Sequence, residues 1–330
     1  MDDIENKTVS VGELFSSPDV DESRRYFRDK SRARTNKLMS VSEAVQRFVK
    51  DGDYLASGGF GVVRIATAVL HEIVRQRKKR LGIAGHTATH DFQILAAGRC
   101  FDRCDVAYIV GLELRGLSLN ARRYMESGEV KVTEWTNAAL AWRYKAASMG
   151  VSFLPARSLL GTDVFKYSAA REMECPFTGK EYVALPALFP DVGIIHVHRA
   201  DVYGNCQIDG ITVSDADISR ASRRLIITAE RIVSTEELLK DPSKTFAPFW
   251  QVDAVCHVPY GSYPANMPYE YFSDEKHLAE WMEVERDPAR LEDFINKYIY
   301  GTANFEEYLE LNGGERRMAE LRALEPLRRK

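Results

Sequence analysis

Apolar positions along the chain alternate between two periods. Val41, Ala44, Val45, Phe48 and Val49 recur at helical spacing behind a capping box, Ser40 to Glu43, and Gly52 ends the run. A short apolar run, Tyr54 to Ala56, then closes in Gly58-Gly-Phe-Gly61, and a helical pattern over 64–77 places Ala68, Val69, Ile73 and Val74 on one face. The alternation continues with strands expected over 81–84, 106–110, 129–134, 182–187, 192–198, 206–208, 225–229 and 252–258. Helices are expected over 91–97, 118–126, 138–149 and 215–222. Residues 155–181 read as irregular, which is long for a loop within a compact domain. From 273 onward the pattern is helical: 274–285, 287–299, 304–311 and 315–328. Strands that are apolar on both faces and alternate with helices predict an α/β fold. The expected architecture is an open, mostly parallel sheet with helices on both faces and a helical C-terminal region over 273–330.

Residues 1–38 break this rhythm. Seven Lys or Arg residues lie between Asp21 and Ser40, diluted by Asp19, Asp21, Glu22 and Asp29. This predicts a charged extension packed on the domain surface or on a partner, with one domain over 39–330. The overall balance changes little: 45% hydrophobic, 28% charged and net charge −3 over 330 residues, with no basic field of the kind that binds nucleic acid. The apolar runs are too short to span a membrane, and Met1-Asp-Asp-Ile-Glu5 is acidic where a signal peptide is basic. Five scattered cysteines fit a reducing, cytoplasmic setting. Cys100 and Cys104 have no second ligand pair beside them, and His196 and His198 share a strand face without a third ligand. No metal site is expected, and both sets read as structural.

The candidate chemistry sits in the turns that follow strands. In parallel sheets, sites lie at the carboxyl ends of strands. Gly58, Gly59 and Gly61 let backbone N–H groups come close to a ligand, and Phe60 can pack beneath the turn. Arg64 falls near the expected helix start, where its fork would meet a carboxylate or phosphate. The spacing is neither G-x-G-x-x-G nor a Walker loop. A second polar turn, Gly85 to His90, adds His86. Glu113 follows the strand expected over 106–110, and Asn137 precedes the helix over 138–149, where it reads equally as an N-cap or as an amide donor.

Six segments in fixed order carry a resemblance: Gly58-Gly-Phe-Gly61 with Arg64; Asn137 through Val151; Gly161-Thr162; His196-Val-His-Arg-Ala-Asp-Val-Tyr-Gly-Asn205; Thr228 through Val233; and Val252 with Pro259-Tyr-Gly261. Over roughly residues 39–315 the chain resembles the α subunit of family I CoA-transferases, closest to the glutaconate CoA-transferase α subunit with its relatives. The resemblance implies an open α/β sheet that pairs with a homologous β subunit in αβ assemblies. Coenzyme A would be a substrate, with no prosthetic group. It also implies nucleophilic catalysis by a glutamate carboxylate on an acyl-CoA thioester, through an anhydride and a glutamyl-CoA thioester. In the family that glutamate sits in a Ser-Glu-Asn-Gly or Glu-x-Gly context on the β subunit, and no Ser-Glu-Asn-Gly stretch occurs here. The nucleophile is therefore expected in trans, with Glu113 the weaker alternative.

Asn137 occupies the place of a glutamine in transferase relatives and of a glutamate in a ring-cleaving hydrolase, which favours transfer. The alternatives are a decarboxylase of glutaconyl-CoA type, a CoA-ester ring-opening hydrolase, and a non-catalytic stabilising or regulatory chain. A sugar-phosphate isomerase or sugar-sensing domain shares the broader fold but not the phosphate loop.

Overall fold

The computed structural model describes residues 10–109 and 116–327. Twelve strands are described: β1 (Tyr54–Ser57), β2 (Leu81–Ala88), β3 (Phe101–Ile109), β4 (Lys131–Glu134), β5 (Phe153–Ala156), β6 (Arg171–Glu174), β7 (Glu181–Pro186), β8 (Val192–Ala200), β9 (Cys206–Gln207), β10 (Arg224–Ile232), β11 (Thr245–Ala247) and β12 (Ala254–His257). Seven of them lie parallel in the order β12-β10-β8-β1-β2-β3-β4. β9 runs antiparallel to the last two residues of β8, and β11 extends β9. The chain adds strands on one side of β1 up to β4, then crosses to its other side for β8, β10 and β12. The order therefore reverses between β1 and β8, and a crevice opens at such a reversal beyond the carboxyl ends of the strands.

Side chains alternate across the pleat. On β1, Leu55 faces the helices Val41–Phe48, Thr67–Arg75 and His90–Ala97, while Tyr54 and Ala56 face Asn137–Met149 and Asp215–Ala221. Both faces are thus covered, as strands with apolar residues on both sides require. The second face carries a buried ion pair: Arg143 Nη1 lies 2.7 Å from Asp105 Oδ1, which Trp135 Nε1 also reaches at 2.6 Å. Tyr54 O–H donates to the other carboxylate oxygen at 2.5 Å. Three donors satisfy the acid and tie β1, β3 and the helix Asn137–Met149 together.

Several boundaries differ from the expectation for physical reasons. Residues 155–181 are not irregular: β5 and β6 flank β7 in a separate three-stranded antiparallel sheet, with the helix Asp163–Tyr167 between β5 and β6. β7 accordingly alternates half-buried and buried residues after an exposed Glu181 and is not a strand of the buried parallel type. β2 and β3 are longer than the apolar runs within them, because polar residues at their ends still pair. The helix after β1 starts at Thr67, since Arg64 has φ 58°, outside the right-handed helical region. The C-terminal helices are Glu275–Val284, Pro288–Ile295 with a π turn over Asn296–Tyr300, Phe305–Leu311 and Gly314–Leu324.

The N-terminal segment contains a helix that periodicity alone does not show, Val20–Asp29, capped by the Asp19 carboxylate. It lies along the domain. Val11 N–H donates to Lys166 O at 2.8 Å, and Met39 N–H donates to Val255 O at 2.9 Å, so residues 37–39 cover the β12 edge. Lys30 anchors the segment. Its Nζ lies 2.8 Å from Arg223 O, 2.8 Å from Gln251 O and 2.7 Å from Asp253 Oδ2. Burial lowers its ammonium below the usual lysine range, and Asp253 opposes that shift. Replacing Lys30 with Met should lower the unfolding free energy by about 1–3 kcal/mol, because three acceptors lose their donor in a partly shielded site. Urea titration of the full chain checks this, and an unchanged midpoint with an unchanged m-value would show that the anchor is dispensable.

Candidate active site at the carboxyl edge of the sheet

The turn after β1 stands at the point where strand order reverses. Each of its four N–H groups already has an acceptor: Gly58 on Ile194 O at 2.8 Å, Gly59 on Asp215 Oδ1 at 2.9 Å, Phe60 on Val63 O at 3.0 Å and Gly61 on Thr87 O at 2.9 Å. The turn therefore offers no spare backbone donor to a ligand. Gly59 has φ 84°, and a Cβ there would sit 2.5 Å from Val63 O. Only glycine fits, and for a steric reason.

Arg64 is completely buried. Its Nη1 and Nη2 lie 2.9 Å from Oδ1 and Oδ2 of Asp215, and Nη2 also reaches Ile211 O at 2.8 Å. This fork-to-fork pair fills the guanidinium edge that was expected to meet a substrate anion. Burial pushes the Asp215 carboxyl up, but the Arg64 charge, its two hydrogen bonds and the Gly59 and Val213 N–H groups outweigh that and hold it below the usual carboxylate value. Sequence reasoning misses Asp215, because nothing local marks it as the partner of a residue 151 positions away.

His86 lies near the end of β2, half-buried, with its ring edge-on to Phe60 at 5.7 Å between centroids. Its Nδ1 is 3.1 Å from Ser214 Oγ. Burial lowers its imidazole below 6.5, and the Asp215 charge offsets this only in part. The β2–β3 register shifts on either side of His86, and Thr87 holds φ 50°, a strained value for a β-branched residue. Asp91 opens the next helix, its Oδ1 accepting from Thr89 N–H at 2.7 Å, and burial raises its carboxyl to about 6.

Asn137 stands apart from this group. Thr136, not Asn137, caps the helix, accepting from Ala139 N–H at 3.1 Å. The Asn137 Oδ1 is buried with no hydrogen-bond partner among the described residues. β4, the strand before Asn137, lies two strand spacings from β2, roughly 10 Å, and no hydrogen bond joins the Asn137 Oδ1 to His86. Glu113 lies outside the described residues.

His196 and His198 are structural. His196 bonds Thr228 Oγ1 at 2.8 Å and Glu230 Oε1 at 2.7 Å, and Tyr271 O–H and Tyr260 N–H also donate to Glu230. His198 Nδ1 accepts from Asp209 N–H at 3.0 Å, and its Nε2–H donates to Pro268 O at 2.8 Å. Cys100 and Cys104 are buried thiols, both pushed up by desolvation, Cys100 to about 12.

A family model described as Coenzyme A transferase matches residues 38–257. The chain belongs to the coenzyme A transferase family. It is 34% identical to one subunit of the 3-oxoadipate CoA-transferase of Pseudomonas knackmussii, over 82% of this chain and 96% of that one. An uncharacterized protein of Archaeoglobus fulgidus is 49% identical over 99% of this chain and 74% of its own length. The solved glutaconate CoA-transferase of Acidaminococcus fermentans superposes with TM-score 0.83 at 27% identity, covering 86% of this chain and 95% of that one. The decarboxylase AibA/AibB superposes less well, with TM-score 0.72 at 29% identity over 80% and 98% of the two chains.

The chain is an α-type CoA-transferase subunit with the open, mostly parallel sheet and helical C-terminal region of that fold. The family match ends at 257, so the C-terminal helices lie beyond it. No helix among the described residues is long and apolar enough to cross a membrane.

Two measurements test the turn. Replacing Arg64 with Ala leaves the Asp215 charge buried and unpaired, and should lower stability by about 3–5 kcal/mol. Gly59→Ala should cost more than about 1 kcal/mol. Denaturant midpoints check both; an R64A variant of normal stability with a raised KM would return the fork to the substrate. The third measurement concerns pH. His198 is held neutral, its pKa lowered from 6.5 to about 4 by burial. The unfolded state therefore binds this proton first, and the stability from neutral His198 is complete above 6.5 and falls as pH drops toward 4. H198N should flatten that decline by about one proton, near 1.4 kcal/mol per pH unit. Chemical denaturation from pH 7 to 4 reads the slope, and an identical slope in the variant would place the titration elsewhere.

Proposed function

We propose that this chain forms the α half of an enzyme that moves CoA between an acyl-CoA and a small carboxylic or dicarboxylic acid of glutaconate or oxoadipate type. A homologous β subunit supplies the nucleophilic glutamate. The observation that carries this reading is the agreement with CoA-transferase subunits over more than four-fifths of the chain in both sequence and fold. The site chemistry supports it. Asp215 is taken up by Arg64, and Glu230 by His196, Tyr271 and the Tyr260 N–H, so neither buried acid is available to attack a thioester. The sequence also lacks the Ser-Glu-Asn-Gly setting of the nucleophile.

In this reading the attacking carboxylate displaces CoA thiolate from the acyl carbon. The thiolate returns to the anhydride, and the acceptor acid then takes CoA from the glutamyl thioester. The C-terminal edge of β1 and β2 forms one wall of the shared crevice. Gly58, Gly59, Phe60 and Gly61 shape that wall, and Arg64 holds it from behind. His86 and Asn137 present neutral hydrogen-bonding groups along it. Coenzyme A is a substrate and no prosthetic group takes part. The five free cysteines, four of them buried, suit a cytoplasmic enzyme.

The purified chain alone should show no CoA exchange from acetyl-CoA to glutaconate or 3-oxoadipate, and co-purification with its β subunit should restore it. Full turnover by the isolated chain would place the nucleophile here after all. Decarboxylation without CoA exchange by the reconstituted pair would favour the lyase alternative.

A further inference from the structure

We propose that His86 donates its Nε2–H to the carbonyl oxygen of the acyl-CoA thioester, and that Ser214 is the positioning residue that keeps the proton on Nε2. The ligand's identity rests on the transfer reading above; the donor rests on the geometry that follows.

The first observation is negative: the N–H groups of Gly58, Gly59, Phe60 and Gly61 all have acceptors, so this turn has no backbone donor to offer the oxygen that gains charge during acyl transfer. The second is the behaviour of Ser214. It occupies the N-cap position of Asp215–Ala221, where a serine oxygen ordinarily accepts from an N–H of the first turn, yet it makes no cap bond. Its hydroxyl is directed to His86 Nδ1. Ser214 is 3% exposed, and Nδ1 is the only acceptor within reach of its O–H among the described residues. Were Nδ1 protonated, the serine proton would be buried without an acceptor. The pairing therefore sets Nδ1 as acceptor and Nε2 as donor.

The third observation concerns what holds the ring. The register shift around His86 and the positive φ of Thr87 bring Thr87 O onto the Gly61 N–H, while Thr89 Oγ1 donates to Gly61 O at 2.6 Å. Two hydrogen bonds thus lock the histidine turn to the glycine turn, and Phe60 lies against the imidazole. A strained β-branched residue beside a half-buried histidine is the kind of local cost that a preorganised site retains. Among the described residues, Nε2 has no partner.

The donor acts by hydrogen bonding alone. As a carboxylate attacks the acyl carbon, the carbonyl π pair moves to oxygen and the Nε2–H bond strengthens. When the pair returns, the C–S bond breaks and CoA leaves as thiolate. No proton leaves His86, so the imidazole stays neutral throughout, as its lowered basicity favours.

The test uses the full chain assembled with its β subunit, labelled with nitrogen-15 histidine. Subtracting the H86L spectrum assigns His86 among the seven histidines. The expected result is Nε2 protonated and Nδ1 bare in the wild type and in S214T, with a tautomer mixture in S214A. Acetyl-CoA should shift the His86 Nε2–H resonance. H86L should lose about 10²–10³ in kcat, the usual effect of removing one oxyanion donor. S214A should lose about tenfold in kcat with little change in KM, and S214T should recover most of it. Protonation on Nδ1 in the wild type, an S214A spectrum identical to wild type, or an H86L enzyme with undiminished kcat would each overturn the proposal. A complex whose Nε2–H shifts with acetyl-CoA but which transfers no CoA would support the donor while sinking the transfer reading.

Discussion

The buried pair between Arg64 and Asp215 is the constraint on which the candidate site depends. Two opposite charges removed from water cost several kcal/mol each, and only mutual attraction with complete hydrogen bonding offsets that cost. Here the match is two-pronged, and Gly59 N–H, Val213 N–H and Ile211 O add further hydrogen bonds, while the buried Arg64 Nε has no partner among the described residues. The pair therefore joins three pieces of chain that are remote in sequence: the turn after β1, the approach to the helix Asp215–Ala221, and, through Arg64 N–H on Asn266 O at 2.8 Å, the segment that follows β12. None of these can shift without exposing a charge to an apolar surrounding. Ser214 faces His86 because its neighbour Asp215 is fixed in this way.

The regions outside the family match reinforce the same edge. Asn266 pairs with Val62 and Arg64 through its backbone, and its side-chain amide donates to Glu325 Oε2 at 2.9 Å. Phe272 N–H bonds Leu321 O, and Arg317 grips Asp274 with two contacts of 2.8 and 2.9 Å. The last helix is thus two hydrogen-bonded steps from the glycine turn. At the opposite end of the chain, Lys30 and residues 37–39 close the β12 edge. Such bracing limits the motion of a site whose donors must be in place before the reaction begins.

Under the proposed transfer reading, a division of labour between subunits follows from the same electrostatics. A carboxylate nucleophile must remain unpaired enough to attack, whereas Asp215 and Glu230 are each held by two or more donors. A scaffold that uses its acids to hold its turns together is suited to orienting a substrate for a nucleophile carried elsewhere. In that reading the neutral His86 imidazole and the Asn137 amide line the crevice.

Much of the architecture was legible in the sequence because period and capping are local properties. The capping box at Ser40, the strand Tyr54–Ser57 and the helix Asn137–Met149 all follow from residues within a few positions of one another. The ordered set of segments likewise pointed to the family. Of the small sheet, β7 was expected as the strand over 182–187, but β5, β6 and the antiparallel pairing were not legible, because short polar strands leave little periodic signature. The role of Arg64 escapes sequence reading for a related reason. Its type and place suggest an anion, but which anion was decided by packing, which brings Asp215 to it from 151 residues away. The glycine turn shows the same limit: sequence located it, while only the tertiary structure showed that every N–H in it already has an acceptor. What the sequence by itself determined was the order of the elements and the position of the turns. Which donors remain for a substrate was settled by long-range contacts, since hydrogen-bond partners are allotted only when distant segments meet.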